Sequence, residues 1–188
     1  MGYLLTFLGI VLLNAIPFFT PTTWAVLLFL AATTHLNPWY LPIIGAVAAS
    51  IGRSILALGS KHIVRTRFLS AKARGHIDAV HEYLERRRAM ATSIFFLYAL
   101  GPLPSNYIFI AYGLTALPLR YILGPFLVGR FLSYSFWTYV GATLGTLYRP
   151  ANFADLFAGY SLLSQLGAIL ALYVFVKVPW RKYLPKLR

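Results

Sequence analysis

The stretch SIFFLYALGPLPSNYIFIAYGLTAL, residues 93–117, decides the fold of this chain. It is apolar on both sides of a central break that holds Gly101, Pro102 and Pro104. Proline lacks a backbone donor and ends a helix, so the break predicts two short helices rather than one. Each half is shorter than the roughly 20 helical residues that cross a hydrocarbon core. We therefore expect a re-entrant hairpin, which enters a membrane and returns to the side it came from.

The composition of the whole chain points to the same environment. Of its 188 residues, 59% are hydrophobic and 11% are charged, and the mean hydropathy is +0.69. A soluble domain has roughly 45–50% apolar and 25% charged residues, because it must cover its core with a polar surface. We expect one domain that lies largely in lipid, as a multi-pass integral membrane protein of the cell membrane if the source is prokaryotic.

The charge is strongly basic, with 17 Lys and Arg against 4 Asp and Glu. In a soluble protein a net charge of +13 would suggest nucleic acid, but the hydropathy argues against this partner. We expect the basic residues to face the cytoplasm and lipid headgroups. The chain has no cysteine, which excludes disulfides, thiolate metal sites and cysteine nucleophiles.

A second broken apolar segment lies near the N-terminus. Residues 3–34 are apolar and are interrupted where Pro17 and Pro21 end the helix. A long apolar segment follows each broken one, at residues 38–60 and 119–147. Both long segments have the length of a full membrane crossing.

A polar and basic segment, residues 61–90, separates the two halves. Its Ile77, Val80 and Leu84 recur at helical spacing, and charged side chains fill the other positions. This pattern predicts a cytoplasmic amphipathic helix at the membrane surface. Two further segments are predicted downstream, a transmembrane helix at about residues 158–177 and a basic tail at residues 178–188.

The two halves share an order of landmarks. These are Pro21, Pro38, Gly52 and Arg53 in the first half and Pro104, Pro118, Gly129 and Arg130 in the second. Such symmetry is typical of transporter repeats, although Pro and Gly also mark helix ends in any membrane protein. The predicted fold is an all-α integral membrane protein with an inverted repeat, at about residues 14–60 and 93–147. Each repeat is a re-entrant helical hairpin followed by a long transmembrane helix.

The positive charges set the predicted orientation. Thirteen of the 17 basic residues lie in residues 61–90 and 177–188, which we expect on the cytoplasmic side. The two long helices then cross in opposite directions, and the two hairpins enter from opposite sides. Their tips should approach each other near the midplane, where we expect the functional site.

The candidate site is polar and basic. Arg53 and Arg130 lie in the predicted crossings, where an arginine is unfavourable by about 2.5 kcal/mol or more and no Asp or Glu is present to pair with it. Their partners should be an anionic ligand, water or backbone carbonyls, and the structural alternative to substrate binding is that they cap carbonyls of the broken helices. The expected substrate-binding set also includes the polar residues of the breaks, Asn14, Thr20, Thr23, Ser105 and Asn106. The prolines expected to produce those breaks are Pro17, Pro21, Pro102 and Pro104.

Catalysis has little support in the sequence. It contains no GxSxG, HExxH or CxxC pattern and no paired carboxylates in the predicted membrane segments. We expect no enzyme activity, no cofactor and no metal. Three functions stay open: lipid transport, a structural role in shaping membranes or recruiting partners, and transport of small ions or drugs.

The second half carries a more specific pattern, P-x-N followed by A-x-G-L-T. The matching residues are Pro104, Asn106, Ala111, Gly113, Leu114 and Thr115. With RYILGPFLVGRFLSYSFWTYVG, residues 120–141, this stretch resembles the DedA family, also called the VTT-domain or SNARE-associated-like superfamily. The resemblance covers about residues 17–145.

The resemblance implies two inverted re-entrant hairpins in a membrane and the translocation of lipids. Bacterial members carry undecaprenyl phosphate, and eukaryotic relatives scramble phospholipids, so the expected partners are anionic phospholipid or polyprenyl phosphate. Many bacterial members have an acidic residue near the first hairpin and a Gly-Asp in the next crossing, where this chain has Asn14 and Gly52-Arg53. The difference favours passive scrambling over proton-driven transport. The oligomeric state stays open, with a homo-oligomer among the alternatives.

Overall fold

The computed structural model describes residues 1–17, 22–101, 104–147, 166–167, 169–179 and 182. These residues contain helices and no strand, so the all-α prediction is confirmed for them. The helices are α1 (Gly2–Ala15), α2 (Thr23–Thr33), α3 (Leu41–Gly59), α4 (Ala71–Arg86), α5 (Arg88–Leu100), α6 (Asn106–Leu114) and α7 (Arg120–Leu147). A π-helical segment, Ser60–Phe68, continues α3 directly.

Each broken apolar segment forms two short helices. In the first pair, α1 has 14 residues and α2 has 11, and we call these two helices the first hairpin. In the second hairpin, α5 has 13 residues and α6 has 9. At about 1.5 Å per residue, every one of these helices is shorter than a hydrocarbon core of about 30 Å. Pro21 and Pro102, two of the four prolines expected to produce the breaks, lie outside the described residues.

The two long helices, α3 and α7, pack against each other at the centre. The first helix of each hairpin packs on the long helix that follows it, α1 on α3 and α5 on α7. The second helix of each hairpin packs on the long helix of the other half, α2 on α7 and α6 on α3. The two halves are therefore interlocked rather than stacked side by side.

Two glycines allow the crossed contacts between the halves. A Cβ at Gly113 of α6 would collide with the backbone of Ala57 in α3, within 3.0 Å of its Cα. A Cβ at Gly141 of α7 would lie 3.0 Å from the Cα of Leu28 in α2. Small residues at such positions let helix backbones approach closely.

The segment at residues 61–90 differs from the single amphipathic helix that we expected. Its first part continues α3 as the π-helical segment, and the chain then becomes extended at Leu69. A new helix, α4, starts after Ser70, whose hydroxyl accepts a hydrogen bond from the Ala73 amide at 3.3 Å. The amphipathic pattern itself is correct for α4, since Ile77 and Val80 are buried. The last residues before 90 already belong to α5.

Helix α3 places its small and polar side chains inward and most of its large apolar ones outward, with Leu41 and Leu56 buried. Gly45, Ala49, Ser50 and Arg53 are buried, together with Ala46, Gly52 and Ala57. The exposed face carries Ile43, Val47, Ile51, Ile55 and Leu58. These five residues follow one another at intervals of three or four, so they form a single stripe along the helix.

One helix in the described part of the chain is long and apolar enough to cross a membrane, Leu41–Phe68, with 28 residues. Length and composition do not distinguish it from the buried core helix of a water-soluble protein. Helix α7 also has 28 residues, but Arg130 and several serine, threonine and tyrosine side chains lower its mean hydropathy. About half of the predicted crossing at 158–177 lies within the described residues, and that part, 166–167 and 169–177, is helical. Most of the predicted tail at 178–188 lies outside the described residues.

Candidate functional site

Arg53 joins the two hairpins. It lies on α3, about 18 Å along the helix from Leu41, and only 5% of its surface is exposed. Its Nη1 donates to the backbone oxygen of Asn14 at 2.9 Å, in the last turn of α1. Its Nε donates to the hydroxyl of Ser105 at 3.0 Å, at the residue before α6. One guanidinium therefore connects the tip of the first hairpin to the tip of the second.

The preceding glycine makes this contact possible. A Cβ at Gly52 would lie 2.5 Å from the carbonyl oxygen of Val11 and 2.6 Å from Cβ of Asn14. Without a side chain at this position, α1 approaches α3 closely enough to present the Asn14 carbonyl to Arg53. The two residues of the Gly-Arg pair thus have complementary roles: the glycine allows α1 to pack closely on α3, and the arginine binds the C-terminal end of α1.

Gly129 and Arg130 repeat this arrangement on α7. A Cβ at Gly129 would lie 2.7 Å from Cβ of Ala99 in α5. Arg130 is 2% exposed, and its Nη1 donates to the carbonyl oxygen of Gly101, immediately after α5, at 3.1 Å. Its guanidinium carbon also lies 5.4 Å from the ring centre of Phe126 and 5.7 Å from that of Tyr134. The described bond of Arg130 stays within its own half, whereas Arg53 also reaches the other half.

The polar residues at the breaks connect the helices around the arginines. The amide of Asn14, which is 1% exposed, donates to the oxygen of Ile10 and to the hydroxyl of Thr23, both at 2.8 Å. This side chain therefore ties the end of α1 to the start of α2. The amide of Asn106 donates to the carbonyl oxygen of Pro17 at 3.4 Å, which links the second hairpin to the first.

The structure thus brings six of the seven predicted site residues to the two hairpin tips. Arg53, Asn14, Ser105, Asn106, Thr23 and Arg130 are all buried there. The seventh, Thr20, lies outside the described residues. Two of the four prolines expected at the breaks are described. The carbonyl oxygen of Pro17 accepts the bond from Asn106, and that of Pro104 accepts a bond from the hydroxyl of Tyr98 at 2.9 Å.

The site is electropositive. The starts of α2 and α6 lie at the tips, and a helix N-terminus carries unsatisfied N–H groups and partial positive charge. No carboxylate among the described residues contacts Arg53. Three of the four acidic residues belong to α4, and the fourth, Asp155, lies outside the described part. Such a combination of donors attracts an anion of the size of a phosphate group.

Sequence reasoning missed two polar residues near the site. Tyr98 faces the break of the second hairpin, and an aromatic hydroxyl in an apolar helix is itself a signal, because it needs a partner. Ser133 is buried one helical turn after Arg130, and its hydroxyl has no hydrogen-bond partner among the described residues. Ser133 lies three residues after Arg130, so both side chains share one face of α7. This spacing is the signal in the sequence that could have identified Ser133.

Comparison with protein-family models, with curated proteins and with solved structures finds no match to this chain. Within the residues that the structure describes, no group of three or more histidine, cysteine or acidic side chains is placed to hold a metal ion. The described side chains at the hairpin tips supply hydrogen-bond donors and the two guanidinium cations.

Proposed function

We propose that this chain is a membrane protein that moves anionic phospholipids or polyprenyl phosphates between the two leaflets, as its resemblance to the DedA family implies. The observation that carries the proposal is the buried guanidinium of Arg53, which bridges Asn14 and Ser105 at the meeting point of two broken helical hairpins. A phosphate headgroup that crosses a bilayer needs a cationic, hydrogen-bonding site within the hydrocarbon layer.

The polarity of the helices supports membrane residence. In a water-soluble protein most of the large apolar side chains of α3 would face the core, but here five of them form the exposed stripe from Ile43 to Leu58. The short helix α1 has the same character, with Leu4, Leu5, Leu8 and Leu12 exposed and Asn14 buried. An exposed apolar surface of this extent is unfavourable in water and favourable in lipid.

The packing pattern supports an inverted repeat. Each hairpin sends its first helix to its own long helix and its second helix to the other one, and a Gly-Arg pair contacts the end of each first helix. The two Gly-Arg pairs, Gly52-Arg53 and Gly129-Arg130, are thus equivalent by position and by contact. In transporters built from inverted repeats, broken helices meet at the midplane and form the substrate site.

The proposed mechanism is passive. A lipid phosphate enters between the hairpins while its acyl chains remain in the hydrocarbon, and the guanidinium of Arg53 replaces part of the water that the headgroup loses. Nε and Nη1 of Arg53 have acceptors, while none is described for Nη2. Because both α2 and α6 begin here, their N-terminal amides can share the phosphate charge. The chain supplies no intramembrane acid in its described residues for proton coupling.

A structural role is the second candidate, and the arginines themselves favour it. Arg53 and Arg130 each donate to a carbonyl at the C-terminal end of a broken helix, which is the capping arrangement that a scaffold would also need. In that case the arginines stabilise the fold and no lipid passes between the hairpins.

Lipid exchange in purified liposomes separates the two candidates. We expect the wild type to speed leaflet exchange of a fluorescent phospholipid or of a polyprenyl phosphate, and Arg130→Ala to slow it while the protein stays folded. Arg67→Ala is the matched control, because this arginine is exposed on the π-helical segment, and it should exchange lipid like the wild type. Exchange at the protein-free rate for both lipids, or a fully active Arg130→Ala, would leave the structural role as the better account. Leakage of small solutes without lipid exchange would indicate an ion or drug transporter instead.

A further inference from the structure

A second basic cluster lies at the other end of the second hairpin, where α5 and α7 begin. Arg88 is the first residue of α5, and Arg120 and Tyr121 are the first two residues of α7. Nη1 of Arg88 donates to the hydroxyl oxygen of Tyr121 at 2.9 Å, and Nη2 of Arg120 donates to the same oxygen at 3.1 Å. Both guanidinium carbons also lie near the Tyr121 ring, at 4.8 Å and 5.1 Å from its centre.

The charges in this cluster are not balanced. Two guanidinium groups that share one neutral oxygen repel each other, and a phenol hydroxyl offsets little of that repulsion. Among the described residues, the carboxylate that contacts the cluster belongs to Glu85, whose Oε1 lies 3.6 Å from Nη2 of Arg88 and whose Oε2 lies 3.3 Å from Nε2 of His81. Within the described chain, no carboxylate contacts Arg120. An anion that binds between the two arginines would relieve the repulsion.

The cluster is both accessible and held in place. The side chain of Arg88 is 51% exposed, and Arg120 is exposed as well, so a ligand can reach them from outside. The hydroxyl of Thr92 donates to the backbone oxygen of Tyr121 at 3.2 Å, which fixes the start of α7 against α5. Nε of Arg88 donates to the backbone oxygen of Glu85 at 3.1 Å, which holds the guanidinium in place beside Tyr121.

We propose that Arg88, Arg120 and Tyr121 form a binding site for the phosphate group of an anionic lipid at headgroup depth, on the cytoplasmic side of the second hairpin. The inference rests on the membrane residence that forms part of the proposed function, but it does not require transport. Arginine binds phosphate oxygens through two parallel N–H groups, and tyrosine is typical of the membrane interface. A phosphate oxygen takes the acceptor position that the two arginines now share on the Tyr121 hydroxyl.

The site can be tested by equilibrium binding, with the full chain in an uncharged detergent. The probes are fluorescent phosphatidic acid and fluorescent phosphatidylcholine with the same acyl chains. We expect the wild type to prefer phosphatidic acid and the double variant Arg88→Gln/Arg120→Gln to bind it about tenfold or more weakly, since charge-assisted bonds are lost. The matched control, Arg67→Gln/Arg74→Gln, removes the same charge from two exposed positions outside the cluster, and it should change the affinity less than about twofold.

Two further variants keep the result interpretable if the double variant misfolds. Tyr121→Phe retains the ring and should weaken phosphatidic acid binding only slightly, whereas Arg120→Lys retains the charge, loses the planar fork and should bind at an intermediate level. Equal losses in the double variant and the matched control would show that only net charge matters and would overturn the proposal. Equal binding of phosphatidic acid and phosphatidylcholine by the wild type would overturn it as well.

Inorganic phosphate distinguishes the two sources of the same ligand chemistry. If millimolar phosphate displaces the fluorescent lipid, the site takes free phosphate; if it does not, the site takes the lipid-borne group, and both results support a phosphate site. The two experiments distinguish an error in the transport proposal from an error in the proposed headgroup site. A wild type that binds phosphatidic acid at the cluster but exchanges no lipid removes the transport proposal only, whereas a double variant with unchanged affinity removes the headgroup site only.

Discussion

At the residue scale, one guanidinium performs two tasks in this site. Nη1 of Arg53 satisfies the carbonyl of Asn14, and Nε fixes the hydroxyl of Ser105 on the opposite hairpin. A side chain with five N–H donors can hold both contacts and still offer a donor to a ligand. Capping and substrate binding are therefore compatible roles for the same arginine.

Asn14 should be the most sensitive neutral residue of the site. Asn14→Ala removes the hydrogen bonds to Ile10 and Thr23 and leaves the buried hydroxyl of Thr23 without its Asn14 partner. We therefore expect the free energy of unfolding to fall by about 1–3 kcal/mol. Denaturant titration in detergent, followed by circular dichroism, measures this change. Thr143→Ala removes an exposed hydroxyl bonded to its own helix and should change the free energy by less than about 0.5 kcal/mol. Equal effects in the two variants would contradict the tie between α1 and α2.

The residue types of the site follow from the sequence, but their pairing does not. Polar side chains beside Pro17 and Pro104 are predictable, because a broken helix in an apolar segment must satisfy its freed backbone groups. The contact between Arg53 and Ser105 joins residues 52 positions apart and depends on how two hairpins pack. The sequence places Arg53 and Arg130 at equivalent positions, but it does not indicate that Arg53 binds a residue of each hairpin.

At the element scale, glycines decide which helices touch. Small residues line the packing face of α3, where Gly45, Ala46, Ala49 and Ser50 are buried. Their partners could not be predicted, because a small-residue stripe accepts any helix of suitable shape. A Cβ at Gly45 would lie 2.5 Å from Leu27 of α2, a helix that packs mainly on α7.

Gly141 should tolerate no side chain. Gly141→Ala places a Cβ against the backbone of Leu28, which cannot move as a flexible side chain could, so we expect destabilisation of about 1–3 kcal/mol. Gly9→Ala is the matched control, since a Cβ at Gly9 of α1 meets nothing within 4 Å, and it should leave stability unchanged or raise it by about 0.5–1 kcal/mol. Thermal unfolding in detergent, scored by the midpoint, ranks the two variants. A midpoint for Gly141→Ala at or above that of Gly9→Ala would show that α2 and α7 do not approach as closely as described.

The region at residues 61–90 shows how a correct pattern can still give incorrect boundaries. The apolar positions Ile77 and Val80 were recognised, and they are buried. The break at Leu69 and Ser70 was not, although serine before a helical run is a common N-cap. The continuation of α3 to Phe68 contacts α6, and no local pattern reveals this contact.

At the scale of the whole molecule, the proposed lipid path depends on the orientation of the chain in a membrane. Helix α3 continues into the π-helical segment, so Asn37 and Ser70 lie just beyond the two ends of one long helix. The basic residues of 61–90 favour the cytoplasm for the end near Ser70. Asn37 should then lie on the opposite side, at the base of the first hairpin.

Cysteine labelling tests this orientation, and the chain has no cysteine of its own to interfere. Single cysteines at Ser70 and Lys182 should react with a membrane-impermeant reagent from the cytoplasmic side, and one at Asn37 should react from the other side. Reaction of all three from one side would contradict a membrane-spanning α3. Reaction of the Ser70 and Lys182 positions from opposite sides would remove the predicted placement of the downstream segment.

The most direct test of the central claim is the headgroup dependence of leaflet exchange for Arg53→Gln. In liposomes with fluorescent phosphatidylglycerol, we expect the wild type to speed exchange and Arg53→Gln to slow it by about tenfold or more, because loss of a buried cation raises the barrier for an anionic phosphate by at least about 1.4 kcal/mol. Arg53→Lys should fall between the two, and Arg67→Gln should match the wild type. A folded Arg53→Gln protein that exchanges phosphatidylglycerol at the wild-type rate would contradict the proposal that the hairpin tips form the lipid path.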